Sequence, residues 1–192
     1  MENLVCLVAV GLAEIFSVNC LNILIEMALA AFLLVAGYPL IYLFEKIFKL
    51  LSNSKLVDLS DTSNKLLRML ADKAPGTFQH SLQVMNLADA VARAIDANVL
   101  LVRAGALYHD IGKIANPQCF TENETPGVRY HEGLSPKESA QEIIRHVADG
   151  VALAEKHGLP GIIRDFITTH HGTSKAGYFY ITYKNTHPEE EI

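Results

Sequence analysis

His80, the adjacent pair His109-Asp110, His146 and the adjacent pair His170-His171 fall in that order within about half of a 192-residue chain. Imidazole nitrogen together with carboxylate oxygen suits Fe, Mn, Zn or Co, whereas hard ions such as Mg prefer oxygen alone. Six donors exceed the four of a tetrahedral structural zinc. They suit a two-metal site, in which one carboxylate bridges both ions and the water between them becomes the nucleophile. Asp110 is the candidate bridge. It follows an apolar run, where a charged aspartate is costly to bury unless paired or metal-bound; its bland role would be a helix cap. Lys113, one helical turn further on, could meet a phosphate oxygen and stabilise charge in a transition state. Taken singly, His80 reads as an exposed helix-start residue, and His146, between Ile143-Ile144 and Val147, as a core histidine.

Those residues need helices to carry them. Asp61-Thr62-Ser63 offers caps for a helix through 65–71, and Ala74-Pro75-Gly76-Thr77 reads as a turn. Leu82, Met85, Leu87, Val91 and Ile95 then recur at helical spacing. Leu100 to Tyr108 is a second apolar helix that delivers His109-Asp110 at its end. Asn116 to Leu134 reads as a loop. Ser135, Pro136 and Glu138 form a helix start with a capping box, and that helix should run to His157, with Gly158 stopping it. Another, from Pro160, should end at His170-His171-Gly172. Adjacent helical residues diverge by about 100°, so both histidines can reach one ion only where the helix ends, and Gly172 permits such an end. No segment alternates strictly, which predicts an all-α fold: a helical bundle from Asp61 to Ala176 preceded by one or two apolar helices.

The front of the chain is different. From Leu4 to Phe44 there is no lysine or arginine, and Glu14 and Glu26 are the only charges. A bilayer core of ~30 Å needs ~20 apolar helical residues, so the stretch is long enough for two spans, read as 4–18 and 21–44 with a turn at Asn19 and Asn22. Lys46, Lys49, Lys55, Lys65 and Arg68 follow, which places that end in the cytoplasm by the positive-inside rule. No basic residue precedes the apolar run and no cleavage site is evident, against a signal peptide. Residues 1–45 are thus read as transmembrane, 46–64 as a cytoplasmic linker and 65–192 as the site-bearing domain. From Lys46 onward 16 basic residues meet 17 acidic ones, poor support for nucleic-acid binding. Cys6, Cys20 and Cys119 make no CxxC and are read as reduced thiols.

The run His109-Asp110-Ile111-Gly112, with its lysine, resembles the signature of the HD (HDIG) metal-dependent phosphohydrolases. Ala74-Pro75-Gly76-Thr77-Phe78-Gln79-His80-Ser81-Leu82, Lys55 to Asp61 and His170 to Ser174 resemble one branch, the seven-transmembrane HD family of PgpH-type cyclic-di-AMP phosphodiesterases. The likeness runs from Tyr38 to Tyr183. It implies two divalent transition metals, Mn or Fe, with His80, His109 and Asp110 at one and Asp110, His146, His170 and His171 at the other. It implies Lys113 and Asn123 as substrate contacts, a cyclic dinucleotide as substrate, and a multi-pass protein of the cell membrane with the HD domain in the cytoplasm. Cyclic-di-AMP would give the linear dinucleotide. The cyclic-di-GMP branch carries Gly-Tyr-Pro after its paired histidines; Gly172-Thr173-Ser174 stands here. His131 is expected outside the ligand shell.

One departure bears on function. The family has a further metal-binding aspartate on a helix after the paired histidines. Here the sequence reaches Glu189-Glu190-Glu191-Ile192 before such a helix is expected, so the chain resembles the middle of a longer protein, with the domain incomplete at its C-terminal end. The glutamates could supply a substitute carboxylate, although a solvated tail is the simpler reading. The competing function is therefore a nucleotide-binding or regulatory module without turnover. The residues do not fix the oligomeric state.

Overall fold

The computed structural model describes residues 2–48 and 51–188. Every regular element in them is helical, and the chain divides into two compact units, Met1–Leu50 and Leu51–Ile192. The first unit is one helix, α1 (Glu2–Phe48). It continues through Asn19 and Asn22, so the turn expected there is absent: no Gly or Pro lies between them, and asparagine alone only mildly disfavours a helix. Its stretch Cys20–Phe44 has a mean hydropathy of 2.2 and is not buried. At 1.5 Å per residue these 25 residues reach about 37 Å, enough to cross a bilayer. Pro39 lies inside the helix, a position more readily tolerated in membrane helices than in water. The side chains of Cys6 and Glu14, and all of Glu189 to Glu191, lie outside the described residues.

The second unit holds α2 (Asn53–Leu59), α3 (Lys65–Lys73), α4 (Pro75–Ala94), α5 (Val99–Tyr108), α6 (Pro136–Lys156), α7 (Gly161–Thr169) and α8 (Gly177–Thr186). Short 3-10 turns at Ile111–Ile114, Pro117–Cys119 and Thr121–Asn123 interrupt the long connection from α5 to α6. The segment read as a linker thus contains α2. Leu56 and Leu59 of α2 join the same core as Leu67, Leu70, Leu107, Ile111, Ile163 and Ile167. Full burial of such side chains is worth roughly 1.5–3 kcal/mol each. Tyr108 is fully buried among them, and its hydroxyl donates to the Leu59 carbonyl at 3.0 Å.

Helix starts follow local chemistry. Ser135 accepts from the Glu138 N–H while Glu138 accepts from the Ser135 N–H, completing the capping box of α6. α3 begins at Lys65 as expected, but its cap is Asn64, one residue past the predicted Asp61–Ser63, with the Asn64 side chain accepting from the Leu66 N–H. The predicted turn at Ala74–Thr77 shrinks to Ala74 alone. Pro75 is the first residue of α4, because proline fits the first helical position, where its missing N–H costs nothing. α8 was not predicted. A helix does therefore follow the paired histidines, although Gly177–Thr186 contains no acidic residue.

Candidate metal centre

The four elements that carry the ligands converge because two of them nearly touch. A Cβ at Gly112 would stand 1.8 Å from the His146 carbonyl oxygen. Without a side chain, the turn Ile111–Ile114 lies directly on α6, and Asp110 just before it faces His146. α5 ends at Tyr108 with His109 as its C-cap. α7 ends at Thr169 with His170 as its C-cap. Gly172 then takes a φ of +54°, a left-handed conformation that glycine adopts without steric cost. The chain leaves the helix there, so the His170 and His171 rings lie 3.9 Å apart rather than on diverging faces. His80 comes from α4, with its ring 5.6 Å from that of His109.

The result is two clusters that share one carboxylate. Donor atoms of Asp110, His146, His170 and His171 all lie within 4.8 Å of one another, as do those of His80, His109 and Asp110. Asp110 Oδ1 faces the larger cluster, 3.4 Å from His146 Nε2 and 3.5 Å from His170 Nε2. Its Oδ2 faces the smaller, 3.1 Å from His109 Nε2. His146 Nε2 is 3.2 Å from His171 Nε2 and 3.5 Å from His170 Nε2. All six predicted ligands are brought together.

The donor set fits divalent ions. Asp110 Oδ1 is buried without a hydrogen-bond partner, since the nearby imidazoles do not reach it with hydrogen-bond geometry. Such an orphan oxygen is costly unless a cation takes it. Nδ1 of His109, His146 and His170 faces the carbonyl of Ala106, Ile143 and Ile167, respectively, three residues back. An Nδ1–H donated there leaves the Nε2 lone pair free for a metal, the usual outer arrangement of ligating histidine.

Electrostatics set the resting charges. Burial lowers the pKa of His146 and of His171, and neighbouring imidazoles lower that of His171 further, so both favour the neutral, ligating form. Burial also disfavours charge on His109, but the hydrogen bond and negative charge of Asp110 outweigh it and raise its pKa. Burial alone would raise the Asp110 carboxyl; the His109 hydrogen bond and the charges of His109 and Lys113 hold it well below the usual carboxylate range. An ion held by His109 Nε2 would have to displace any proton on that nitrogen.

Lys113 Nζ sits 2.9 Å from Asp110 Oδ2. Asn123, expected at the substrate, has both ends of its carboxamide on Thr77: its Nδ2 donates to Thr77 Oγ1 at 2.7 Å, and its Oδ1 accepts from the Thr77 N–H at 3.1 Å. In this structure it fastens the loop to α4. His131 stands apart from both clusters, its Nε2 2.9 Å from the Cys119 carbonyl oxygen and its ring against Phe179. His157 caps the end of α6, and His187 that of α8. Sequence reasoning missed Glu122, whose carboxylate accepts from Lys113 Nζ at 2.8 Å. No spacing ties a loop glutamate to a lysine nine residues earlier.

A helical domain with two histidine clusters sharing a buried aspartate is a candidate two-metal domain. The chain belongs to the HD domain family, whose profile it matches over residues 77–192. It is similar to the cyclic-di-AMP phosphodiesterase PgpH of Listeria monocytogenes serotype 1/2a (strain 10403S), with 44% identity over 155 residues, 81% of this chain and 22% of that protein. It is also similar to PgpH of Bacillus subtilis (strain 168), with 42% identity over 137 residues, 71% of this chain and 19% of that protein. The crystal structure of the L. monocytogenes PgpH HD domain in complex with cyclic-di-AMP matches with a TM-score of 0.64 at 43% identity, covering 67% of this chain and 60% of that one. The chain spans about a fifth of the length of these curated relatives.

Proposed function

We propose that this chain carries the hydrolytic domain of a membrane-anchored, metal-dependent phosphodiesterase that opens a cyclic dinucleotide, cyclic-di-AMP, to linear pApA. The observation that carries the proposal is the Asp110 carboxylate shared between two histidine clusters, in a chain 44% identical to a cyclic-di-AMP phosphodiesterase. The apolar, unburied stretch Cys20–Phe44 supports the membrane anchor, and the basic residues that follow it support a cytoplasmic HD domain. Membrane and substrate are the two partners this reading needs.

Bound divalent ions, Mn or Fe by the mixed imidazole and carboxylate donors, supply Lewis acidity that acidifies water and offsets phosphate charge. The chain's own residues do the rest. Asp110 presents one oxygen to each cluster, His146 and His171 stay neutral, and Lys113 holds a positive charge beside the site. In the reaction the oxygen of water bonds to phosphorus, the bond from phosphorus to the ribose 3′ oxygen breaks, and that oxygen takes a proton. The 5′ ester remains. Lys113 is the residue proposed to meet a non-bridging phosphate oxygen as charge develops there.

A second reading rests on one observation. Among the described residues the His80 cluster has three donors and the His146 cluster four. A domain with one well-held ion would bind the nucleotide without hydrolysing it. Incubation of the chain with cyclic-di-AMP and Mn, followed by chromatography, separates the two. Linear pApA formed by the wild type and lost in Asp110→Asn supports the phosphodiesterase. Saturable binding with no product would establish the binding module.

A further inference from the structure

Glu122 has no part in the reaction as proposed, yet it touches two elements that do. Its Oε1 accepts from Lys113 Nζ at 2.8 Å and from Thr77 Oγ1 at 3.2 Å. The same ammonium is 2.9 Å from Asp110 Oδ2. One cation thus joins the shared carboxylate of the metal centre to a carboxylate of the α5–α6 connection. The ring of Phe120 lies 4.7 Å from Lys113 Nζ, within range of a cation–π contact. Lys113 is only 13% exposed along its side chain.

The loop that carries Glu122 is itself anchored. Asn123 binds Thr77 at both ends of its carboxamide, and Thr77 is fully buried. A Cβ at Gly76 would stand 1.8 Å from the Glu122 carbonyl oxygen, so the first turn of α4 and the turn Thr121–Asn123 touch backbone to backbone. α4 also carries His80. A strap therefore runs from α4, which brings a ligand of the smaller cluster, through Glu122 to Lys113 and Asp110.

We propose that Glu122 is a positioning residue, holding the Lys113 ammonium against Asp110 so that the cation is in place when phosphate arrives. The inference rests on the phosphodiesterase reading. Lysine is a point charge on a flexible four-carbon stem and shows little geometric preference by itself. A second, loop-anchored carboxylate 2.8 Å from the ammonium supplies that geometry. The side-chain hydrogen bonds of Glu122 run to Lys113 and Thr77, and its effect on the centre passes through Lys113.

Four chains test this: wild type, Glu122→Gln, Lys113→Met and the double variant. Glu122→Gln keeps the side-chain shape and a hydrogen-bond acceptor for Thr77 while removing the charge. We expect kcat to fall about 10- to 100-fold, the scale of losing an outer partner of a metal site, with KM and metal content nearly unchanged. In the Lys113→Met background the same substitution should cost little, because residues acting in one network are non-additive. A second readout is independent of turnover. Trace acetylation of lysines, read by mass spectrometry, should rise several-fold at Lys113 in Glu122→Gln while the melting temperature holds. Equal losses in both backgrounds, unchanged Lys113 labelling, or a lowered melting temperature with labelling raised at lysines throughout the chain would overturn the proposal. If the wild type makes no pApA, the phosphodiesterase reading fails, and the labelling result alone then decides whether Glu122 holds Lys113.

Discussion

His146, His170 and His171 come from α6 and the end of α7 and gather around Asp110 Oδ1. His80 and His109 come from α4 and the end of α5 and face Oδ2. The larger cluster has four donors with His146 wholly buried, and its approach is fixed by the contact of Gly112 with α6. The smaller has three donors, and each cluster has one exposed histidine, His80 in the smaller and His171 in the larger. Lys113 already competes for Oδ2, at 2.9 Å, while Oδ1 has no hydrogen-bond partner. The difference teaches that a shared carboxylate does not make two equal sites. Binding should be tight where the oxygen is orphaned and weak where it is already partnered.

The largest effect should come from the atom that both clusters use. Asp110→Asn removes the charge that offsets both ions, and turnover should fall by at least about 10³-fold, the scale seen when a preorganised electrostatic group is lost from a closed site. Metal analysis should show both clusters depleted. Retained metal with retained turnover would remove Asp110 from the bridge. The comparison sharpens with single ligands. Wild type should hold about one ion tightly, so His146→Ala should release it, with affinity falling at least about 10-fold. His80→Ala should leave that ion in place. On the two-metal reading turnover uses both clusters, and it should therefore drop in both variants while metal content drops in one. Two tightly held ions in the wild type would show that a further donor completes the smaller cluster, and Glu189 to Glu191 would be the first to mutate.

The two clusters were not equally legible. His109-Asp110 and His170-His171 stand out because each pair follows an apolar helical run and the second precedes a glycine. His80 and His146 carry no such mark and gained meaning only from the resemblance in their surroundings. The capping box at Ser135 was readable because both partners are three residues apart. α8 was not readable: it starts at Gly177 without a side-chain cap, and its aromatic residues make no clear helical stripe. Pro75 was read as a breaker because the same residue ends one helix pattern and starts another. The path of α1 through Asn19 and Asn22 was missed because two asparagines weaken a helix without forcing a turn. Glu122 was invisible because its partner is set by the fold.

A gentler perturbation tests what holds the clusters together. Gly112→Ala places a Cβ where the His146 backbone oxygen stands, and neither backbone can move without shifting Asp110 or His146. Overpacking of this kind costs about 1–3 kcal/mol. The melting temperature should fall, and the melting shift produced by added Mn should shrink as well, because the displaced turn carries the shared carboxylate. A variant that melts lower but keeps the full Mn shift would show that the turn serves the core rather than the site.

The smallest effect is a graded one, and it separates the clusters by acidity. The pKa of His109 is raised above its ordinary 6.5 because Asp110 outweighs the cost of burial. Its Nε2 therefore takes up a proton earlier as pH falls, and that proton competes directly with an ion at the smaller cluster. His146 and His171 are shifted the other way by burial. They take up a proton less readily than an ordinary imidazole, so their lone pairs remain available further down in pH. Asp110 is ionised throughout, since its pKa lies well below the carboxylate range. Metal occupancy, followed by equilibrium dialysis between about pH 7.5 and 5.5, should thus fall first at the smaller cluster and only later at the larger. Turnover should follow the first loss, and the tightly held ion the second. A single release step, with both ions leaving together and turnover tracking total metal, would show that the clusters act as one unit and that the inequality seen in their geometry does not extend to binding.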